Sequence, residues 1–545
     1  MKKHSLLIAF LLISCSLFAQ VPQVKNVILM IPDGTSLASV SAARWLQRYN
    51  HPELTHLNID PYIAGTVLTY CSDAPIGDSA PTTSCYMTGY PSHSGYVSTY
   101  PVAVPEEDII PMDASKAYQP LMTLLEAARI TQQKSTGLVV TCEFTHATPA
   151  DCSAHSYKRN NYDWIAPQIV HNDIDVVIGG GVSILKPELQ AYLKKENYGL
   201  FLDDFNGYNN YKGDKMWALF NPKDMPYELD RDPSKFPSMA DMTTKAIEKL
   251  SKNENGFFLM VEGSKVDWAA HSNDPIGIMT EMLAFDKACG VALDWAKKNG
   301  NTLVVIVPDH GNSGFSIGKA ACKGYSTIPK SELFGPASRF KATYDGLTDR
   351  LQQTAPDKIK EVVSDLTGFQ LTDKELNKLV NTEDYKQSPL PKDARHTGEL
   401  FYNELREILN KKLCFGFTTT GHTGEEVFLG IYDPRGTTTE LRGHHTNVEI
   451  NQYLREAMGL VDLETLTAQH FAKHTDVFAG LNCSITGDEK TKFLTVKNKK
   501  NTLEIQQGSN LIKHNGKEIK LPSVVVYVDA NDTFYLPQSL KELLK

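Results

Sequence analysis

Positive charge is in short supply in this chain. Its 545 residues carry 55 Lys and Arg against 64 Asp and Glu, a net charge of −9. No stripe of basic residues with interleaved aromatics offsets that balance, so nothing favours a nucleic-acid partner. Long apolar runs are scarce too. Beyond the amino-terminal stretch, no segment is long and apolar enough to span a membrane. No internal repeat occurs, which sets aside repeat architectures. No Ser-His-Asp order suggests itself, so a serine nucleophile here needs another activator, and a metal ion is the natural one. Cysteine is limited to nine residues.

What is present is ordinary for a globular protein: 41% hydrophobic and 22% charged residues. A mass of 60.6 kDa exceeds what one core usually serves, so appendages are expected. Met1, Lys2 and Lys3 precede an apolar stretch from Leu6 to Phe18. This reads as a secretory signal spanning 1–19, cleaved after Ala19, and places the protein outside the cytoplasm, in the periplasm. Leu12 to Cys15 also forms a lipobox, and a lipid anchor at Cys15 is the second reading. Export permits disulfides. Cys142 and Cys152, on either side of His146, are the first pair expected.

The chemistry-bearing residues stand at the ends of apolar runs. Val27–Ile31 leads into Pro32-Asp33-Gly34, and Thr302–Val307 into Pro308-Asp309-His310. Continuous apolar runs of this length are typical of strands buried on both faces. Open α/β sheets place their sites at the carboxyl ends of such strands. Phe257–Val261 ends in Glu262, and Asp267 and His271 follow at a four-residue step that stacks both on one helix face. His422 lies in a Gly- and Thr-rich loop before the apolar run Val427–Ile431. Taken singly these are common; an Asp after a strand often just caps the next helix. Their joint occurrence with Asp78-Ser79-Ala80 is what matters. Carboxylates and imidazoles suit zinc, hard oxygens suit magnesium, and two metals about 4 Å apart clamp the attacking and leaving oxygens of an in-line displacement.

On these motifs, with His146-Ala147-Thr148-Pro149 and Arg159, residues 27 to about 460 resemble the alkaline phosphatase family. The resemblance implies an α/β fold with a largely parallel sheet between helices, and a metal-dependent phosphomonoester hydrolase. Ser79 would be the nucleophile and pass through a phosphoserine. Asp33, Asp309 and His310, with Ser79, would hold one zinc; Asp267, His271 and His422 the other; Asp33, Thr148 and Glu262 a magnesium. Arg159 would grip phosphoryl oxygens, supported by Asp78. The implied partners are small phosphate monoesters and inorganic phosphate, and a homodimer is compatible with family habit. His146 stands where the enteric bacterial enzyme has aspartate, and Trp268 where it has lysine. Both departures bear on magnesium affinity and phosphate release. Pro32 and Pro308, before the strand-end aspartates, are tolerable past a strand's last ladder bond. Ser79-Ala80-Pro81 also opens like the sulfatase motif, but Thr83 replaces the arginine that motif requires. A diesterase of the same superfamily and a non-catalytic metal-binding protein are the alternatives.

Alternation of apolar runs with helical stretches, such as 275–298, implies helices on both faces of a parallel sheet. The expected catalytic unit is 20–478, with a charge-rich helical insertion at about 323–412 serving as a lid or crown. Short β-type runs and a His514-Asn515-Gly516 turn signal mark a β-rich appendage at 479–545.

Overall fold

The structure, a computed structural model, describes residues 23–387, 399–436 and 441–545. The expected leader 1–19, with Ala19 and Cys15, lies outside the described residues. No helix among them is long and apolar enough to cross a membrane.

Ten strands form the central sheet: β1 Asn26–Ile31, β2 Ile63–Leu68, β3 Ser135–Glu143, β4 Val176–Gly180, β5 Gly199–Leu202, β6 Met216–Leu219, β7 Phe257–Glu262, β8 Thr302–Ile306, β9 Val427–Tyr432 and β10 Gly443–Thr446. Their spatial order is β10-β2-β9-β8-β1-β7-β3-β4-β6-β5. β9 runs antiparallel to both neighbours, β2 and β8. The seven strands from β8 to β5 are mutually parallel. Every residue of β1, β7 and β8 is buried, which is why these strands read as unbroken apolar runs. Their register is level: Ile31 pairs with Glu262, and Met30 with Ile306. Their carboxyl ends therefore open along one line.

Successive side chains of β1 alternate between two cores. Ile28 and Met30 face Val40, Ala246 and Phe285, whereas Val27, Leu29 and Ile31 face Tyr86, Leu125 and Leu454. The helix Pro275–Asn299 matches the expected stretch. Asp274 caps it through the Ile276 N–H, and it ends at Gly300 in the left-handed region (φ 71°), where glycine is favoured.

The segment after β8 is helical as expected, from Lys330–Leu333 to Glu399–Lys412. Thr372 and Glu375 cap the helix Asp373–Val380 reciprocally. Cys322 and Cys414 form a disulfide near the two ends of this segment. Cys142 and Cys152 are not its partners: both are buried free thiols. The expected Cys142–Cys152 pair fails because Cys142 Sγ turns to Glu262 and Cys152 Sγ to the Thr148 carbonyl.

At the carboxyl end, Asn482–Gly487, Lys492–Lys497, Thr502–Gln506, Leu511–His514 and Lys517–Lys520 form a five-stranded antiparallel meander. Its last hairpin turns at Asn515 and Gly516, both at positive φ. The run at 524–528 does not join this sheet. Val526–Val528 pairs with Thr533–Leu536, which pairs in turn with Ala472–Lys473. Trp164, on a helix of the main body, shares a core with Leu494, Ile505 and Phe534.

The Cys322–Cys414 bridge closes a loop of 92 residues in sequence. Closing a loop that long stabilises by about 2–4 kcal/mol, mainly by restricting the unfolded chain. Cys414→Ser should therefore lower the urea midpoint of the oxidised protein, and prior reduction should abolish the difference from wild type. Equal midpoints in the oxidised proteins would show that the bridge contributes nothing.

Candidate active site

The site lies along the carboxyl ends of β8, β1, β7 and β3. Asp33 sits two residues past β1, Glu262 ends β7, and Asp309 lies three residues past β8. Gly34 adopts φ +60°, and a Cβ there would fall 2.3 Å from an Asp267 carboxylate oxygen, so only glycine lets the two segments approach this closely. The short helix Lys265–His271 presents Asp267 and His271 together, with His271 Nε2 3.3 Å from Asp267 Oδ2. His422 arrives from the other direction. It precedes β9, and because β9 is antiparallel, its amino-terminal end meets the same edge of the sheet. There His422 and Thr423 pair with Asn312 and Gly311. Ser79 opens the buried helix Ser79–Thr88 with Asp78 at its N-cap. A helix amino terminus favours an anionic ligand.

The structure brings the expected residues together. Ser79 Oγ lies 3.2 Å from His310 Nε2 and 3.5 Å from Asp33 Oδ1. Asp33, Asp309 and His310 form one group able to hold a metal ion; Asp267, His310 and His422 form a second. His310 thus faces both groups. His271, expected in the second, adjoins it at 3.1 Å from His422 Nε2. The three imidazoles share one arrangement. His271 Nδ1 donates to the Thr420 carbonyl, His310 Nδ1 to that of Gly311 and His422 Nδ1 to that of Gly77. This makes each Nδ1 the donor and turns each Nε2 inward, the orientation seen in metal-binding histidines.

The electrostatics point the same way. Burial, reinforced by Asp309, Asp267 and Glu262, pushes the Asp33 carboxyl well above its ordinary range. Burial and Asp309 push Glu262 up to about 8. Burial would lower the His271 pKa, but the Asp267 carboxylate raises it to about 9. Asp33 Oδ2, Asp309 Oδ2, Thr148 Oγ1 and Glu262 Oε1 are buried without a hydrogen-bond partner. Four such oxygens at one sheet edge are what a set of bound cations would satisfy, so the donor set fits metal ions.

Thr148, on the short helix Ala147–Asp151, stands beside Glu262. Arg159 pairs with Asp78 Oδ1, while Asp78 Oδ2 accepts the Gly95 N–H. Arg159 Nη2 also lies 3.4 Å from His146 Nε2. The His146 ring meets Trp268 edge to face at 5.7 Å. Burial, with Arg159 beside it, depresses the His146 pKa to about 3, so the ring is neutral.

The family model for alkaline phosphatase matches residues 24–460. Alkaline phosphatase 3 of Bacillus subtilis is 33% identical over 449 residues, covering 80% of this chain and 89% of that protein. The chain belongs to the alkaline phosphatase family. Among solved structures, the cold-active alkaline phosphatase of a psychrophilic Shewanella aligns with TM-score 0.67 at 25% identity, over 79% of this chain and 99% of that one. The Thermus thermophilus alkaline phosphatase aligns with TM-score 0.68 at 22% identity, over 81% and 94%, and shares the fold. The family consists of metal-dependent phosphomonoester hydrolases, and phosphate esters are its substrates. The β-rich carboxyl end lies beyond the matched residues.

Three contributors to this alkaline phosphatase site escaped the motif reading. Asn312 donates to Asp267 Oδ1 at 2.6 Å and orients it. Its signal was its place two residues after His310. Cys142 on β3 touches Glu262, and only the strand register reveals it. A cleft of about 610 Å³ beside Trp268 and His271 is walled by Asp345, Arg350 and Tyr402 of the helical segment after β8.

Groups that orient a ligand commonly contribute 10- to 100-fold to metal affinity. Asn312→Ala should weaken zinc retention by about that factor in competition with a chelator, with near-normal stability. An unchanged affinity would remove Asn312 from the support of Asp267.

Proposed function

We propose that this enzyme hydrolyses phosphate monoesters through a phosphoserine at Ser79. The observation that carries the reading is the convergence of Ser79 Oγ, Asp33 Oδ1 and His310 Nε2 within hydrogen-bond reach, with Arg159 paired to the adjacent Asp78. Asp33, Asp309 and His310 would hold one zinc beside Ser79, and Asp267, His271 and His422 a second. Asp33, Thr148 and Glu262 would hold a magnesium on hard oxygens. Bound there, the ions would supply positive charge at the attacking and leaving oxygens and lower the pKa of water. The rest falls to the chain's own groups.

Ser79 Oγ attacks phosphorus, and the ester alcohol departs from the opposite side. Water then attacks the phosphoserine, releasing inorganic phosphate and restoring the Ser79 hydroxyl. Arg159, prealigned by Asp78, offers two parallel N–H groups to phosphoryl oxygens. Two non-bridging oxygens gripped this way, with a third toward the ions, suit a terminal phosphate better than a diester. A binding protein without turnover is disfavoured, because Ser79 and Arg159 both face the metal-type groups. The helical segment walling the cleft supports a lid or crown role for the insertion. An exported, periplasmic location remains our reading of the leader.

The test is hydrolysis of p-nitrophenyl phosphate and of its bis ester by zinc- and magnesium-loaded protein. We expect strong monoesterase activity with little diester cleavage. Ser79→Ala should lower kcat/KM by about 10³-fold or more. Arg159→Ala should lower it by about 10²-fold, as for loss of a transition-state donor. Diester preference, or activity indifferent to Ser79, would overturn the assignment.

A further inference from the structure

Cys142, His146 and Glu262 form a third group whose ligand atoms all lie within 4.8 Å of one another. It shares Glu262 with the magnesium set of Asp33, Thr148 and Glu262 proposed above, but its other donors are of a different kind. We propose that this third site binds zinc through the Cys142 thiolate in preference to magnesium. The inference rests on the metal-dependent reading of the site and revises one part of it: zinc on Cys142, His146 and Glu262 takes the third position in place of the magnesium assigned above.

The placement is built into the sheet. Cys142 and Glu262 stand on adjacent parallel strands, two residues apart in register, since Val140 pairs with Glu262. The backbone at Cys142 is pinned: Ser264 Oγ accepts its N–H at 3.1 Å. Sγ donates to Glu262 Oε2 at 3.4 Å. Tetrahedral zinc, with sulfur at about 2.3 Å and carboxylate oxygen at about 2.0 Å, holds those atoms about 3.5 Å apart. The pair is therefore already spaced for one ion. Both residues are fully buried, and Glu262 Oε1 and His146 Nδ1 lack hydrogen-bond partners. An inert packed thiol would account for the Sγ contact but not for two unpartnered buried atoms beside it.

The donor chemistry decides the ion. Magnesium requires hard oxygens in near-octahedral array, and gains little from sulfur or imidazole. Zinc takes sulfur, nitrogen and carboxylate oxygen in four-coordinate sites, and thiolate selects it strongly. Burial, together with Glu262 and Glu143, keeps the Cys142 thiol protonated on its own. Binding zinc displaces that proton to solvent, one per ion, and the S–H bond is exchanged for S–Zn with no change in oxidation state.

Metal-free full-length protein should be titrated with cobalt(II), a spectroscopic stand-in for zinc. Ions entering the Asp- and His-rich groups give only weak visible bands. A further equivalent should add an intense near-ultraviolet thiolate-to-cobalt band that is missing in Cys142→Ser and Cys142→Ala. After dialysis against equal zinc and magnesium, metal analysis should show the third position filled by zinc in wild type. In Cys142→Ser the preference should fall by about a hundredfold and magnesium should appear. The paired serine and alanine variants, checked by circular dichroism, separate ligand loss from misfolding. No charge-transfer band at any cobalt ratio, or magnesium retained in wild type under equal zinc, would overturn the proposal while leaving the reading of two zincs and a magnesium intact. Failure to take up any ion would overturn that reading as well.

Discussion

The crowding of buried carboxylates at one edge of a sheet governs this molecule. Asp33, Asp309 and Glu262 are fully buried and Asp267 nearly so. Like charges so close in a low-dielectric interior repel by several kcal/mol each, and desolvation adds to the cost. The upward pKa displacements of Asp33 and Glu262 express that cost directly. Such a cluster persists only if the surrounding fold over-determines it and cations neutralise it. Here the over-determination comes from the sheet. Three level, fully buried parallel strands deliver Asp33, Glu262 and Asp309 to one line, and Gly34 lets Asp267 close against them.

Much of this was legible in the sequence, because buried parallel strands leave an unmistakable signature. The apolar runs at 27–31, 257–261 and 302–307 appear as β1, β7 and β8, each followed by its acidic residue. The four-residue spacing of Asp267 and His271 survives as a helix face. Other features depend on strand order and direction, which local pattern does not encode. His422 reaches the site because β9 is antiparallel, and an apolar run says nothing about its direction. Asn312 acts on Asp267 from 45 residues away, and Cys142 on Glu262 from 120. The disulfide was misassigned for a related reason. Sequence proximity suggested Cys142 and Cys152, whereas spatial proximity joins cysteines 92 residues apart. At the carboxyl end, the apolar run at 524–528 is β-type in sequence, yet it does not join the meander. It pairs elsewhere, because its partner Thr533–Leu536 also reaches back to residues 472–473.

The helical segment after β8 has a mechanical relation to the site. Its walls of Asp345, Arg350 and Tyr402 face Trp268 and His271 across the cleft. The Cys322–Cys414 bridge follows the small strand pair of 316–317 with 415–416 on the segment's side, so both ends of the segment are held at one place. Along its length the segment also packs on the main body, where the Tyr344 N–H donates to Asp274 Oδ2 and the Asn410 amide donates to the Asn273 carbonyl.

His146 ties the parts of the site together. Its ring lies against Trp268, its Nε2 is within reach of Arg159, and one of its nitrogens belongs to the Cys142–Glu262 group. Arg159 in turn is held by Asp78, which stands at the N-cap position of the Ser79 helix. A single chain of contacts therefore runs from the third metal group through the phosphate-facing arginine to the serine. A neutral imidazole at position 146 brings no negative charge to that chain. Arg159 then answers to Asp78 as its ion-pair partner, and its orientation is set from the serine side of the site.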